Sequence, residues 1–281
     1  MDRQLKNLLS SHGVNLKKAY GQNFLTDQVL LEEIVVKAGV TKDDTVLEIG
    51  CGAGALTSML ARHAKKVVGY EIDKTLEPVL DQVLAGFSNT EIVFNDVMKE
   101  KLNNIEKKLG GTYILVANLP YYITTPIVMR FIENSSLLKG MVIMVQEEVA
   151  DRFSAKAGDS EYGAITVGIN LRGNARTIIR VPRDKFTPPP NVDSAVCKID
   201  IDNEKFKGVD FAKVRNVVRC AFTSRRKMLV NNLMNGFKLS RAVVEKILTT
   251  SNLSLTCRGE QLSASDFVNL SQVLEDNGVK L

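Results

Sequence analysis

The feature of this 281-residue chain that most restricts its fold is an alternation of short β-rich runs with stretches of helical periodicity. Strands that alternate with helices in this way are typical of a parallel sheet covered by helices. We expect strands at 45–49, 66–70, 91–94, 113–118, 141–146, 164–171 and 194–201 and covering helices at 56–64, 74–84 and 126–133. The pattern therefore predicts an α/β fold with a mostly parallel, seven-stranded, Rossmann-like sheet.

After about Phe206 the sequence changes to helix formers punctuated by Gly and Asn. This change predicts two domains, residues 1–206 and a small all-helical domain at 207–281. From Gly208 to Leu281 there are eleven Lys and Arg against six Asp and Glu, so this segment carries the whole net charge of +5. Clustered basic residues favour a polyanionic partner such as nucleic acid, although a solvated helical surface has a similar composition.

Several classes of protein are not indicated. No apolar run approaches the ~18 residues that span a bilayer, and the first residues lack a secretory-type apolar segment, which predicts a cytoplasmic protein without membrane contact. The four cysteines form no C-x-x-C pair and only two histidines accompany them, so we expect no metal site. A monomer is expected, since no interface can be read from the sequence.

A glycine-rich loop follows the strand at 45–49, with glycines at positions 50, 52 and 54. Glycines let the backbone turn tightly and approach a ligand closely, although a plain strand–helix turn or a dinucleotide site uses them too. Two acidic residues favour a different cofactor: Glu48 precedes the loop inside its strand, and Glu71 ends the next strand, where a carboxylate can accept bonds from both ribose hydroxyls. Gly50, Gly52 and Glu71 are therefore candidate cofactor-binding residues.

Asp96 follows the third strand and is expected at the same edge of the sheet. A carboxylate there can accept a hydrogen bond from an adenine amino group and so select adenine over guanine. A capping role for the segment that follows explains an aspartate at this position equally well.

The segment Asn118-Leu-Pro-Tyr follows the fourth strand. An amino group on an aromatic ring is a poor nucleophile because its lone pair is delocalised, and accepting both of its N–H bonds draws the nitrogen toward tetrahedral geometry. The Asn118 oxygen and the Leu119 carbonyl are two such acceptors, Pro120 fixes the direction of that carbonyl, and Tyr121 can stack on the ring. An Asn-Pro turn is the alternative, but the order glycine loop, Glu71, Asp96 and Asn118 favours methyl transfer to an aromatic amine.

Together these residues resemble the KsgA-type family of ribosomal RNA adenine dimethyltransferases, and the similarity runs nearly end to end. The resemblance implies a class I methyltransferase fold with S-adenosylmethionine as methyl donor. It implies cofactor contacts from Asn23, Leu25, Gly50, Glu71, Asp96 and Asn118. The chain departs from the family at Cys51, where proline is common, and this thiol beside the cofactor becomes a candidate for sensitivity to thiol reagents.

The segment 186–195 is similar to a second substrate loop of the family, which implies that Phe186 stacks on the adenine face opposite Tyr121. From the residues alone, a core aromatic is the more common role for such a phenylalanine. The resemblance also implies that the C-terminal domain docks ribosomal RNA, through basic residues expected on one helix. These residues are Arg215, Arg219, Arg225, Arg226 and Lys227.

The implied activity is dimethylation of the N6 amino groups of two adjacent adenosines near the 3′ end of small-subunit (16S) rRNA, within an immature 30S-type particle. Three alternatives stay open at this point. The first is a large-subunit rRNA methyltransferase of the macrolide-resistance type. The second is a DNA adenine methyltransferase, which would need a target-recognition domain that we do not find. The third is a ribosome-assembly factor that acts mainly by binding.

Overall fold

The computed structural model describes residues 3–14 and 23–281. The chain divides into two compact units, one formed by residues up to 150 together with 175–201 and the other by 151–174 together with 202–281. The second unit thus includes a segment, 151–174, that the boundary between 206 and 207 assigns to the first domain. No helix in the described ranges is long and apolar enough to cross a membrane.

The described residues form short helices and strands in regular alternation. The strands are β1 (Phe24–Leu25), β2 (Thr45–Ile49), β3 (Lys66–Glu71), β4 (Thr90–Phe94), β5 (Tyr113–Asn118), β6 (Leu138–Gln146), β7 (Gly173–Val181), β8 (Phe186–Thr187) and β9 (Ser194–Ile201). The helices are α1 (Arg3–Ser11), α2 (Gln28–Ala38), α3 (Ala55–His63), α4 (Glu77–Leu84), α5 (Leu102–Leu109), α6 (Thr124–Asn134), α7 (Glu147–Ser154), α8 (Ala164–Asn170), α9 (Phe211–Ala221), α10 (Leu229–Phe237), α11 (Arg241–Thr250) and α12 (Ala264–Asp276).

The sheet of the first unit has seven strands in the order β4-β3-β2-β5-β6-β9-β7. The five neighbouring strands β4, β3, β2, β5 and β6 pair in parallel, and β9 runs antiparallel to β6. This arrangement confirms the predicted mostly parallel sheet. Central strands such as β2 are buried along nearly their whole length because helices cover both faces. The carboxyl ends of β2, β3 and β5 are neighbours, so the residues that follow these strands meet at one edge.

The expected strand at 164–171 is wrong, because these residues form helix α8. Their β-branched side chains favour a strand by propensity, but Val167 and Leu171 lie one helical turn apart and pack into the core of the second unit. Thr166 stabilises the first turn by accepting a bond from the Gly163 amide at 3.1 Å. The seventh strand is instead β7, where charged residues interrupt the apolar pattern.

The second unit packs α8 to α12 around its own apolar core. Three of these helices begin at side-chain caps: Asp210 before α9, Ser240 before α11 and Ser263 before α12. Helix α9 ends at Ala221, and the side-chain amide of Asn232 donates to the carbonyls of Ala221 (2.7 Å) and Ser224 (3.0 Å). This bridge satisfies carbonyls that a continuing helix would have used, so Arg225, Arg226 and Lys227 lie in a loop and not on the helix of Arg215 and Arg219, as was expected.

Candidate active site

A cavity opens at the carboxyl edge of β2, β3 and β5. Most of the residues predicted for catalysis and cofactor binding line it together, although they come from distant parts of the sequence. They are Asn23, Leu25, Gly50, Gly52, Glu71, Asp96, Asn118, Leu119, Pro120 and Tyr121. Asn23 and Leu25 belong to the segment Gly21-Gln-Asn-Phe-Leu25, which is similar to an N-terminal motif of the family named above, and its first two residues, Gly21 and Gln22, lie outside the described residues.

The glycine loop turns sharply between β2 and α3. Gly50 and Gly52 adopt left-handed backbone angles, φ +80° and φ +55°, which side chains other than hydrogen disfavour. A Cβ at Gly52 would also lie 3.0 Å from the ring of Phe24. The glycines therefore leave the backbone of this loop bare where it faces the cavity.

Glu71 is fixed at the end of β3 by the neighbouring backbone. One carboxylate oxygen accepts from the Gly52 amide and the other from the Asp73 amide, both at 2.8 Å. Burial raises the pKa of Glu71, while these two amides act in the opposite direction. Each oxygen keeps a lone pair, so the carboxylate can still accept hydrogen bonds from a ligand in the cavity.

Glu48 also lines the cavity, although the sequence pointed to it only as a marker of the motif. Its side chain is fully buried, and neither carboxylate oxygen has a hydrogen-bond partner among the described residues. Burial raises the pKa of Glu48 to about 8, and the charge of Glu71 adds to this effect, while the neighbouring Thr57 hydroxyl and Cys51 thiol oppose it without reaching hydrogen-bond geometry. The signal available in the sequence was an acidic residue within an otherwise apolar strand, Val46-Leu-Glu-Ile.

Asp96 lies in the loop after β4. Its Oδ1 accepts from the Met98 amide at 2.9 Å, so the side chain stabilises a local turn and does not cap α5, which begins at Leu102. The guanidinium of Arg130 donates to the carbonyls of Val97 and Glu100 in the same loop. Because of these bonds, Asp96 is held at the wall of the cavity with its second oxygen, Oδ2, 3.8 Å from the Lys99 ammonium.

Asn118 lies at the end of β5 with its orientation set by a backbone group. Its amide nitrogen donates to the Asn23 carbonyl at 3.1 Å, so the amide oxygen is the atom that remains to accept bonds from a ligand. Tyr121 follows in a short 3₁₀ helix, and its hydroxyl is 2.7 Å from the Ser194 hydroxyl. Burial raises the pKa of Tyr121, which keeps the phenol neutral.

Phe186 is not brought to the cavity. Its side chain is only 3% exposed and lies in an apolar core cluster with Leu25 and Leu31. The backbone of β8 fixes it there, because Phe186 pairs with Leu25 of β1 in a two-stranded antiparallel sheet. In this structure Phe186 therefore packs in the core and does not line the cavity, and the stacking position that the resemblance implies stays a prediction.

The model of one protein family, described as ribosomal RNA adenine dimethylase, matches residues 13–276 of the chain. Among curated proteins, the ribosomal RNA small subunit methyltransferase A of Bacillus licheniformis is 41% identical over 278 residues, covering 96% of this chain and 95% of its own. The protein of the same name from a Geobacillus species is 42% identical over 277 residues, with the same coverage. The chain belongs to the ribosomal RNA adenine dimethylase family.

Solved structures show the same relationship for this dimethylase. A dimethyladenosine transferase from Plasmodium falciparum superimposes with a TM-score of 0.80 and 27% identity, covering 91% of this chain and 98% of its own. The 23S rRNA methyltransferase ErmE has a TM-score of 0.71 and 26% identity, covering 90% of this chain and 100% of its own. The predicted Rossmann-like methyltransferase fold is therefore confirmed, and the dimethylase is an enzyme that acts on ribosomal RNA.

The basic residues predicted to bind RNA lie in the second unit of the dimethylase. Arg215 and Arg219 are four residues apart on α9 and share a face of that helix. Arg225 is held within its own unit, because it donates to the Ser160 carbonyl at 2.6 Å and lies 3.5 Å from a carboxylate oxygen of Glu260. The next two residues of the loop, Arg226 and Lys227, have exposed side chains.

Two further features bear on the chemistry of the dimethylase. The described residues contain no group of three or more His, Cys, Asp or Glu side chains that could hold a metal ion. Cys51 lines the cavity but is buried, and burial raises the pKa of its thiol well above the usual range. Since the thiolate is the reactive form, this environment opposes the sensitivity to thiol reagents that the sequence suggested.

Proposed function

We propose that this dimethylase transfers methyl groups from S-adenosylmethionine to the N6 amino groups of two adjacent adenosines near the 3′ end of small-subunit rRNA, in an immature 30S-type particle. The observation that carries the proposal is Asn118, whose amide nitrogen is committed to Asn23 and whose oxygen remains as an acceptor at the cavity. The small-subunit assignment follows the names of the curated relatives. We propose a cytoplasmic monomer in which the catalytic domain predicted at 1–206 is the first unit, residues up to 150 with 175–201, and the RNA-docking domain predicted at 207–281 belongs to the second unit.

The residues that line the cavity fit S-adenosylmethionine. Glu48 offers a buried carboxyl group with no hydrogen-bond partner among the described residues, and the ammonium group of the methionine moiety would favour its charged form. Glu71 has lone pairs left for the ribose hydroxyls, and Asp96 can accept from the adenine amino group. Asn23, Leu25, Gly50 and Gly52 complete the wall. When bound, the cofactor supplies a methyl group on a sulfonium, an electrophile that needs no metal.

The groups around Asn118 can activate the target amine, whose lone pair is delocalised into the aromatic ring. The Asn118 oxygen and the Leu119 carbonyl accept hydrogen bonds from its two N–H groups, which localises the lone pair on nitrogen. Tyr121 stacks on the base. The partly buried, neutral Tyr121 phenol is anchored to Ser194 by its hydroxyl and acts as a rigid surface. Each methyl added to the nitrogen displaces one N–H proton, which leaves to solvent, so a single N–H remains after one transfer and the monomethylated amine must rotate or rebind before the second methyl is added.

The first test measures transfer of labelled methyl from S-adenosylmethionine to small subunits that lack the modification, with large-subunit RNA and duplex DNA in parallel. Nucleoside analysis should find N6,N6-dimethyladenosine in the small subunit alone. Label confined to large-subunit RNA would identify that RNA as the substrate and favour the function named for ErmE. Label confined to DNA would favour the DNA alternative, and no label in any substrate would contradict the proposed reaction.

The Asn118→Ala variant separates catalysis from a role in assembly by binding alone. Removing one acceptor for the developing charge should lower kcat about 100-fold or more. Asn134→Ala is the control, because Asn134 is exposed at the end of α6 and does not line the cavity. If Asn118→Ala binds particles normally and restores assembly in a deletion strain, binding is the main role. If it fails although it is folded, catalysis is required.

A further inference from the structure

An exposed aromatic ring at the rim of the cavity has no role in the methyl transfer itself. Tyr122 lines the cavity, yet 66% of its surface is exposed to solvent. The other aromatic residues in the lining are placed differently: Phe24 is 8% exposed, Tyr70 is 1% exposed, and Tyr121 is partly buried. Within the described lining, Tyr122 is thus the ring that presents most of its surface to an incoming strand.

The local backbone explains why two adjacent tyrosines differ so strongly. Tyr121 and Tyr122 begin a 3₁₀ helix that ends at Ile123. Successive side chains of a 3₁₀ helix are about 120° apart, so the two rings must diverge. Tyr121 is anchored by its hydroxyl to Ser194, and Tyr122 is left at the mouth of the cavity.

An RNA substrate creates a need for such a ring. A base that enters the cavity leaves its stack, and its neighbour on the same strand loses one stacking partner. An aromatic side chain at the mouth replaces that partner, and base–aromatic stacking tolerates any base because every base has a π face. The second ring expected from the sequence, Phe186, is buried in the core and cannot serve this purpose without leaving it.

We propose that Tyr122 is a stacking platform for the base next to the adenine held in the cavity, that is, for the second adenosine of the pair. This inference rests on the proposed function and adds a second base subsite to it. Tyr121 contacts the base that receives the methyl group, and Tyr122 contacts its neighbour. Tyr122 is therefore a residue for substrate binding and selection, and it has no part in the transfer itself.

The test compares wild type, Tyr122→Ala, Tyr122→Phe and the control Val36→Ala, which removes a 60% exposed side chain of α2 that does not line the cavity. On small-subunit particles that lack the modification, Tyr122→Ala should raise KM about tenfold, the lower part of the range for base stacking. Its kcat and its Kd for S-adenosylmethionine should stay within twofold of wild type. Tyr122→Phe keeps the ring and Val36→Ala leaves the cavity intact, so both should behave as wild type.

Particles in which one adenosine of the pair is replaced by uridine complete a double-mutant cycle, with the remaining adenosine as target. At least one replacement should raise KM for wild type, because uridine stacks less well, and should add little in Tyr122→Ala. If Tyr122→Ala and the uridine replacement each raised KM by the same factor alone and in combination, for both particles, the inference would be overturned. An unchanged KM, or a loss confined to cofactor affinity, would overturn it too. If wild type itself leaves natural particles unmethylated, the proposed function fails and the inference with it.

Discussion

At the scale of single residues, Glu48 couples stability to pH. Its pKa in the folded protein is about 8, against an ordinary value of 4.5, so between these pH values the folded state holds a proton that the unfolded state has lost. Stability is therefore full below about pH 4.5, decreases as pH rises toward 8 and is level above. This shift corresponds to about 5 kcal/mol at most. Urea unfolding of the ligand-free enzyme between pH 5 and 9 should show the decrease.

The Glu48→Gln variant tests the origin of that decrease. Glutamine cannot ionise, so the variant should lose most of the pH dependence and be more stable than wild type at pH 8. A smaller slope of the same sign should remain, because burial also raises the pKa of Glu71. Exchange of the exposed Glu33 for glutamine is the control, since Glu33 forms only a surface ion pair with Lys37. Parallel profiles for Glu48→Gln and wild type would exclude Glu48 as the source.

Gly69 and Cys51 also depend on each other at this scale. A Cβ added at Gly69 would lie 2.4 Å from the Cys51 sulfur and 2.7 Å from Cδ1 of Ile92, so β3 needs a glycine where the Cys51 side chain lies. Gly69→Ala should lower the free energy of unfolding by about 1–3 kcal/mol. Cys51→Ala in the same chain should recover part of that loss.

Denaturant titrations of both single variants and the double variant measure this coupling. Gly86→Ala is the matched control, because a Cβ there meets nothing within 4 Å, and it should be close to neutral. Strictly additive losses at Gly69 and Cys51 would show that the two side chains do not compete for space.

At the scale of elements, the short β1–β8 sheet determines the role of Phe186. Phe186→Ala should lower the free energy of unfolding by about 3–5 kcal/mol, as for other aromatic residues removed from a core. Phe186→Leu retains most of the apolar volume, so it should fold and keep its KM for small-subunit particles within about threefold of wild type. A folded Phe186→Leu variant with a KM raised tenfold or more would show that Phe186 contacts the substrate.

The elements also show how far the sequence alone could go. The strand–helix alternation and the motif order predicted the sheet and the residues around the cavity, because parallel strands bring their carboxyl ends together regardless of sequence distance. Local propensity failed at 164–171, where packing of Val167 and Leu171 into the helical core outweighed β-branched character. The same limit applies to Arg225–Lys227, because the Asn232 bridge that ends α9 is a tertiary contact.

Phe186 and Glu48 show this limit in different ways. For Phe186 the residue type alone favoured the core position that the structure shows, but its pairing with Leu25, a residue far away in the chain, is a contact that no periodicity reveals. The carboxylate of Glu48 became a candidate ligand group only when its burial and missing partners were known. Composition and motif spacing give the types of residues and their order along the chain. Which side chains are buried and which strands pair is determined by the folded structure.

At the scale of the whole molecule, chemistry and charge lie in different units. The cavity belongs to the first unit, while the second carries the basic excess and the exposed pair Arg226 and Lys227. A cation that neutralises a phosphate releases counterions, so each such cation makes binding more sensitive to salt. The double variant Arg226→Gln with Lys227→Gln should bind small-subunit particles more weakly, and the slope of log K against log salt concentration should decrease by about 1 for each phosphate that is no longer neutralised.

Lys246→Gln, which removes one exposed positive charge from α11 of the same unit where the double variant removes two, is the control and should leave the slope close to that of wild type. Arg225 is unsuitable for this comparison, because it contacts Ser160 and Glu260 and its removal would disturb the unit itself. Affinity for S-adenosylmethionine should be unchanged in both variants, since the cofactor residues belong to the first unit. A slope that decreases as much for Lys246→Gln would mean that net charge, and not the loop after α9, attracts the RNA.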